Sequence, residues 1–395
     1  MLVATDPPYF AQIGYADLSD YFYVWLRRAL RGVHPDLFAT VATPKADELI
    51  AAPYRHGGSK EEATKFFVEG YTEAFHRLAT ASAAELPILV VYAHRREESE
   101  DGGIVSTGWE AMLSAILSAG LRVVGTWPIR AASSTKQISL GTNALASYVV
   151  LVCRPQVAGA KVTDRQGFLG ALRAELPGAI AKLQASAIST IDLGQAVIGP
   201  GMAIYCRFAR VIEPTGQAMT VGAALDLIGQ VQGEVLDDFV GDADPWTRWA
   251  MAWYRAHGFE KGSYDDAEKL FKTTNTSLDG LERDGIVAAG GGKVRLLGRS
   301  ELPADWSPES DDRVSVWEVT QQLVHRLTAG GGERAAADLL ARCRSWAPEA
   351  RSLAYWLSAV AARRQPKDAL AYDALVTSWP ELGRLADRVQ GSIVE

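Results

Sequence analysis

Leu2-Val3-Ala4-Thr5-Asp6-Pro7-Pro8-Tyr9 decides how this chain is read. The four residues Leu2–Thr5 are long enough only for the end of a β-strand. Asp6-Pro7-Pro8 must stop that strand, because proline has no N–H for the ladder and restricts the residue before it to extended backbone. An acidic residue held at the carboxyl end of a strand by two rigid prolines, followed by an aromatic ring, is a rare arrangement. Ligands of open α/β sheets bind at such strand ends.

The pattern downstream fits an α/β sheet. Leu18–Leu30 (LSDYFYVWLRRAL) has a helical rhythm that sets Leu18, Tyr21, Phe22, Trp25 and Leu26 on one face, with Asp17 or Ser19 as a cap. A second helix is expected from a Ser59 cap to about Thr80. Pro87–Ala93 (PILVVYA) is a continuous apolar run, the mark of a strand buried on both faces. Trp109–Ser118 reads as a helix ended by Gly120, and Leu121–Ile129 and Ala146–Cys153 as two closing strands that form an antiparallel hairpin at the sheet edge. Strands alternating with helices predict a doubly wound sheet.

Beyond Arg154 the pattern turns mainly helical. Helices are expected over Asp164–Ser186 and Val221–Phe239, with one strand within Pro200–Val211. Asp244–Leu297 reads as two helices and then GIVAAGGGKVRLL, a winged-helix-like segment with Gly290-Gly291-Gly292 at the wing tip. The rest, from Val314, is helical, with Gly330-Gly331-Gly332 as a connector. The expected organisation is 1–155 partial catalytic domain, 156–240 α-rich connection, 241–300 winged-helix-like segment and 301–395 helical C-terminal region.

Composition narrows the function classes. The 395 residues carry a formal net charge of -7 at 48% hydrophobic content, so any nucleic-acid contact comes from a local patch or a partner. Cys153, Cys206 and Cys343 are too far apart for a zinc ribbon or a disulfide framework. His56, His76 and His94 lack ligand spacing, so no metal site is expected. No basic-then-apolar leader and no membrane-length apolar run occurs, which reads as a cytoplasmic protein.

The residues of the turn suit one chemistry. An exocyclic amine of adenine or cytosine is a weak nucleophile, because its lone pair is delocalised into the ring. Acceptors aimed at both amine hydrogens free that lone pair by preorganised electrostatics. The Asp6 carboxylate is one acceptor and the Pro7 carbonyl the other, with Pro8 stiffening the turn. Tyr9 offers a face on which an extruded base stacks. Phe10, Tyr15, Asp17, Lys136 and Asn143 are candidates to line the base or the DNA, with Gln137 beside them. Arg27, Arg28 and Arg31, and in the winged-helix-like segment Lys272, Asn275 and Lys293, are candidate phosphate contacts. Lys45 and Glu48 read as ordinary surface charges at a helix start.

Asp6-Pro7-Pro8-Tyr9 resembles the catalytic motif of amino-group DNA methyltransferases, in the Asp-first form typical of adenine-N6 enzymes. IGYADLSDYFYVWLRRAL (13–30), GTNALASYVVLVCRP (141–155), AVIGPGMAIYCRFARV (196–211) and DADPWTRWAMAWYRAHGF (242–259) are similar to the large adenine-specific DNA methyltransferases of bacteria and archaea that carry a zinc ribbon. KTTNTSLDGL (272–281), GGKVRLL (291–297) and ALAYDALVTSWPEL (369–382) extend the resemblance over nearly the whole chain.

The resemblance implies the C-terminal half of such an enzyme: the second half of a Rossmann-like methyltransferase sheet, then a mainly α region. It implies S-adenosylmethionine as methyl donor, with Asp6 the one contact to it in this chain. Upstream of the motif the family has a glycine-rich cofactor loop and the zinc ribbon. None of Gly57-Gly58, Gly199-Pro200-Gly201, Gly290-Gly291-Gly292 or Gly330-Gly331-Gly332 follows a strand and opens a helix as such a loop must. The expectation is therefore an enzyme half that works on DNA with a missing N-terminal half or a separate subunit. The alternatives are a non-catalytic DNA-binding or assembly subunit of a modification or phage-defence system, and an amino-methyltransferase acting on cytosine-N4.

Overall fold

The computed structural model describes every residue except 1, 12, 84, 93–106, 131–146, 158, 304, 305, 330, 363 and 392–395. The chain is mixed α/β and mainly helical, and forms two compact units. One comprises Met1–Leu176 with Gln195–Gly229, the other Pro177–Gly194 with Gln230–Glu395. Among the described residues no helix is long and apolar enough to cross a membrane.

The first part of the chain runs β1 (Val3–Thr5), α1 (Tyr15–Leu30), α2 (Lys60–Ala81), β2 (Ile88–Tyr92), α3 (Thr107–Ser118), β3 (Leu121–Arg130) and β4 (Ser147–Pro155). It continues with β5 (Val162–Asp164), α4 (Arg165–Ala185), α5 (Thr190–Tyr205), β6 (Arg210–Ile212) and α6 (Val221–Asp242). Four strands form one sheet in the order β1-β2-β4-β3. β1 and β2 are parallel, with Val3 opposite Ile88 and Thr5 opposite Val90. β4 lies antiparallel to both of its neighbours, with Tyr92 opposite Val149 and Ile129 opposite Tyr148. The expected closing hairpin is therefore present, with β3 outermost and β4 inserted between it and β2. An extra residue between Val123 and Gly125 makes a bulge in β3.

The apolar run of β2 buries Ile88, Val90 and Tyr92, and β4 buries Val149, Leu151 and Cys153. From α3, Trp109, Met112, Leu113 and Ile116 join the same core. Helix α2 starts where the sequence places it: the Ser59 hydroxyl accepts the Glu62 N–H at 3.1 Å. Its buried stripe, Ala63, Phe67, Tyr71 and Phe75, repeats at helical spacing.

Two local expectations are corrected. Helix α1 begins at Tyr15 after Gly14, so neither Asp17 nor Ser19 caps it. The one strand expected within Pro200–Val211 is confined to its end: α5 runs through Tyr205, and only Arg210–Ile212 is extended. The Gly-Pro-Gly triplet is a packing surface and no turn. A Cβ on Gly199 would lie 1.9 Å from the Thr126 hydroxyl oxygen, and one on Gly201 2.6 Å from Ile228. Only glycine permits that approach.

The second unit contains α7 (Pro245–His257), β7 (Gly262–Ser263), α8 (Tyr264–Thr274), α9 (Leu278–Arg283), β8 (Val287–Gly290) and β9 (Lys293–Leu296). The three strands pair antiparallel in the order β7-β9-β8, with α7, α8 and α9 packed in the same unit, three helices where the sequence suggested two. The β8–β9 turn passes through Gly291 and Gly292 at φ +59 and +72. Trp249 stacks between Trp253 and Phe271, at centroid distances of 5.2 and 5.5 Å. Helices α10 (Val316–Thr328), α11 (Gly332–Arg342), α12 (Ala347–Ala361) and α13 (Pro366–Gly391) follow. Ser315 and Glu318 form a reciprocal capping box at the start of α10.

Candidate active site

The sheet register gathers the site. Because β1 and β2 are parallel, their carboxyl ends lie side by side, and because β4 is antiparallel its amino-terminal end meets them there. Asp6, Tyr92 and Tyr148 thus arrive from three strands at one edge. The Tyr9 hydroxyl donates to Asp6 Oδ1 at 2.8 Å. The Tyr9 ring stands edge-on to Tyr92, 5.5 Å between centroids at 82°, and tilted to Tyr148 at 6.3 Å. Partial burial first, and then the hydrogen bond and charge of Asp6, raise the Tyr9 phenol above its ordinary range, so it remains a donor.

The turn is fastened from behind. The Tyr71 hydroxyl of α2 donates to the Pro8 carbonyl at 2.8 Å, and the Ala51 N–H donates to the Phe10 carbonyl at 2.9 Å. Asp6 is exposed, and among the described residues neither its Oδ2 nor the Pro7 carbonyl takes a hydrogen bond. Two acceptors, one carboxylate and one carbonyl, are therefore unspent on adjacent residues of a rigid turn. Such a pair can receive two N–H bonds from one amine.

Two expected substrate contacts are corrected. Phe10 is only 8% exposed and packs on Phe67 at 5.1 Å, so it anchors the turn and cannot reach a ligand. Asp17 accepts from the Tyr54 hydroxyl and from Arg55 Nη2 at 2.7 Å. These two bonds, Tyr54 first, hold its carboxyl below the usual range. Arg55 also pairs with Glu48 at 2.8 Å, and Glu48 in turn accepts the Ala16 N–H. The cluster ties the first turn of α1 to residues 45–55. Lys45 and Glu48 are accordingly no helix-start surface charges: Lys45 pairs with Asp20 at 2.7 Å, and Lys45–Glu48 is not helical.

Tyr15 keeps its candidacy. It opens α1, is 56% exposed, and lies near enough to Tyr9 to contribute to that phenol's electrostatics. Lys136, Gln137, Asn143 and His94 lie outside the described residues. Tyr92, Tyr148 and Tyr71 are the site residues that sequence reading missed. Tyr92 ends a strand next to the motif's strand, and that position was the available sign.

The candidate phosphate contacts separate in the same way. Arg27 Nε donates to the Phe38 carbonyl, while Arg28 and Arg31 are exposed. Lys272 pairs with Glu268 at 3.0 Å, and Asn275 closes α8 in the left-handed region at φ 57. Lys293 is exposed near the wing tip. Helices α8 and α9 present Asp265, Asp266, Glu268, Asp279 and Glu282 against Lys269, Lys272 and Arg283, a balance that repels phosphate. A cavity of about 360 Å³ in the same unit is lined by Tyr254, His257, Val360, Arg364 and Gln365, but Arg364 is spent on the Ala256 carbonyl. Among the described residues no group of three or more His, Cys, Asp or Glu is placed to hold a metal ion.

Residues 244–394 match a family model described as "Domain of unknown function (DUF8807)", which begins at the Asp244 cap of α7 and does not include the motif. No curated protein and no solved structure matches the chain.

Proposed function

We propose that the chain is the catalytic-loop half of a DNA adenine-N6 methyltransferase. The observation that carries this reading is the turn at the end of β1, where Asp6 Oδ2 and the Pro7 carbonyl stand unspent beside the Tyr9, Tyr92 and Tyr148 rings. The parallel β1–β2 pair, followed by an antiparallel hairpin, supports a half of a doubly wound sheet, in which strand ends of this kind carry the ligand.

In this reading the chain's residues orient a nucleophile. An extruded base stacks against the aromatic cluster, which supplies the unstacking cost in part. Its amine donates one hydrogen to Asp6 and the other to the Pro7 carbonyl, and the lone pair gains the geometry for attack. The amine proton released on methylation has the Asp6 carboxylate as its nearest acceptor. Tyr71 and Ala51 hold the two acceptors within the narrow tolerance that proximity requires.

S-adenosylmethionine is the donor this chemistry takes. The described residues do not make a site for it: β1 has no strand neighbour on its far side, and no glycine-rich strand-to-helix turn occurs among them. The donor has to be held by other residues.

The test is methyl transfer from tritiated S-adenosylmethionine to duplex DNA by the protein isolated from its host with its associated subunits. Label on adenine N6 is expected, and Asp6→Ala should lower the rate by roughly 10²–10³-fold, the cost of one preorganised polar group. Label on cytosine would favour the cytosine-N4 reading. An unchanged rate in Asp6→Ala, or no transfer, would leave the non-catalytic subunit.

A further inference from the structure

Helix α1 starts without a local cap. Gly14 precedes it, has no side chain to offer, and no side-chain hydrogen bond caps the helix at that position. The N–H of Ala16, the second residue of the helix, is taken instead by Glu48 Oε1 at 3.1 Å, from 32 residues further along the chain. The first turn of α1 therefore depends on whatever holds Glu48 in place.

Arg55 does so. Its Nη1 meets Glu48 Oε2 at 2.8 Å and donates to the Lys45 carbonyl at 3.2 Å, while its Nη2 meets Asp17 Oδ2 at 2.7 Å. One guanidinium thus bridges two carboxylates from two segments, which needs the planar fork of arginine; a lysine ammonium is a single point charge. The bridge sits directly on the link between the motif and α1, since a Cβ on Gly14 would lie 2.7 Å from Asp17 Oδ2 and 3.3 Å from Arg55 Nη2. The same segment also grips the motif's turn, through the Ala51 N–H on the Phe10 carbonyl. Residues 48–55 therefore hold both ends of the short link from Phe10 to Tyr15.

We propose that Arg55 is a positioning residue of the reaction: by bridging Asp17 and Glu48 it sets the first turn of α1 so that Tyr15 contacts the extruded base, a role that rests on the methyltransferase reading above. Tyr15 is the residue this clamp places. It opens α1 beside the Ala16 N–H that Glu48 takes, two residues before Asp17, and its ring is exposed on the side of Tyr9. Without Arg55, the two carboxylates, 39% and 13% exposed, face each other with no cation bridging them. Like charges so placed repel, the Ala16 N–H loses its acceptor, and the first turn opens. A group that orients a substrate costs up to about 10²-fold in rate when it shifts by roughly an ångström. Asp17 thereby serves the site through Arg55 and Tyr15, without touching the base.

The test is a double-mutant cycle on methyl transfer by the protein isolated with its associated subunits, with kcat and the KM for DNA read separately. Arg55→Met and Tyr15→Ala should each lower kcat by roughly ten-fold or more and change KM by less than about three-fold. The two together should lose no more than either alone, because one acts through the other. Adding Asp17→Asn and Glu48→Gln to Arg55→Met removes the repulsion, keeps an acceptor for the Ala16 N–H, and should recover about three-fold or more of the lost rate. Additive losses, no recovery, an unchanged kcat, or a raised KM at unchanged kcat each overturn the proposal. If Arg55→Met does not fold, Arg55→Lys, which reaches one carboxylate at a time, takes its place. A fluorotyrosine at position 15 of the full chain gives a readout that needs no methyl transfer. Its fluorine resonance should shift with single-stranded oligodeoxyadenylate and lose that shift in Arg55→Met, folded by circular dichroism. No shift in the unsubstituted chain, or a shift retained in the variant, overturns the proposal. The expected fluorine result without any methyl transfer sinks the methyltransferase reading and keeps Arg55 as the residue that places Tyr15 against a base.

Discussion

Helix α1 and helix α10 carry apolar residues at the same helical spacing, and the fold treats them in opposite ways. On α10 the stripe is sealed: Trp317 is 2% exposed, Val319, Leu323 and Val324 are buried, and even Thr320, Gln321 and Gln322 are covered. Most of the covered polar groups are satisfied: Thr320 donates to the Val316 carbonyl at 2.7 Å, Gln321 Nε2 to the Tyr372 hydroxyl at 3.0 Å and Gln322 Nε2 to the Pro303 carbonyl at 3.1 Å, while Gln322 Oε1 is buried without a partner. On α1 the stripe faces outward, and the helix is held by its polar residues, through Asp17–Arg55, Asp20–Lys45 and Arg27–Phe38. Periodicity therefore identifies a face without saying what covers it. Tryptophan occurs on both helices, which makes the contrast measurable.

Trp317→Ala should cost about 3–5 kcal/mol, the range for deleting a fully buried ring, read as a lower midpoint in denaturant at unchanged slope. A loss below about 1 kcal/mol would break the comparison.

Glu318, which completes the α10 cap, sharpens it through pH. Burial pushes its carboxyl from 4.5 up to about 8, against the opposing hydrogen bonds of Ser315. The folded state then keeps a proton that the unfolded chain has released, so stability falls as pH rises from about 4.5 to about 8. The decline attributable to this group is on the order of a few kcal/mol. Glu318→Gln preserves the acceptor and should flatten it. A decline of equal size in the variant would remove Glu318 as its source.

Tyr71→Phe cuts only the hydrogen bond to the Pro8 carbonyl. The expected cost is about 1 kcal/mol, with a drop in methyl transfer of less than about ten-fold if the turn holds its place on the remaining Ala51 bond. Trp25→Ala, the α1 counterpart of Trp317, should stay within about 0.5 kcal/mol in the isolated chain, as exposed substitutions do. A large loss there would mean that α1 is covered within the chain itself.

What could be read beforehand was local. The turn at Asp6, the Ser59 cap, the β2 run and the glycine hairpin at 291–292 each depend on a few neighbouring residues, and each is present. The misplaced features depend on pairs distant in sequence. Asp17 reads as a pocket residue until Tyr54 and Arg55 are brought to it. Phe10 reads as a base contact until Phe67 covers it. Gly199-Pro200-Gly201 could be set aside as a cofactor loop from its neighbours, but its use as a packing surface was not legible, because the contacts that need its missing side chains, Thr126 and Ile228, lie elsewhere in the chain. Tyr148 joins the site only through strand register, which no local pattern specifies.

The antiparallel insertion of β4 also has a kinetic consequence. β1 can meet β2 only by closing the long stretch from Val3 to Ile88, and Tyr148 reaches Tyr9 only once β4 has zipped onto β2. Contacts so distant along the chain are slow to form. The hairpin of β3 and β4, local and nine residue pairs long, has a head start. The catalytic turn should therefore be among the last parts of its unit to gain amide-exchange protection during refolding, after the strands that will eventually frame it.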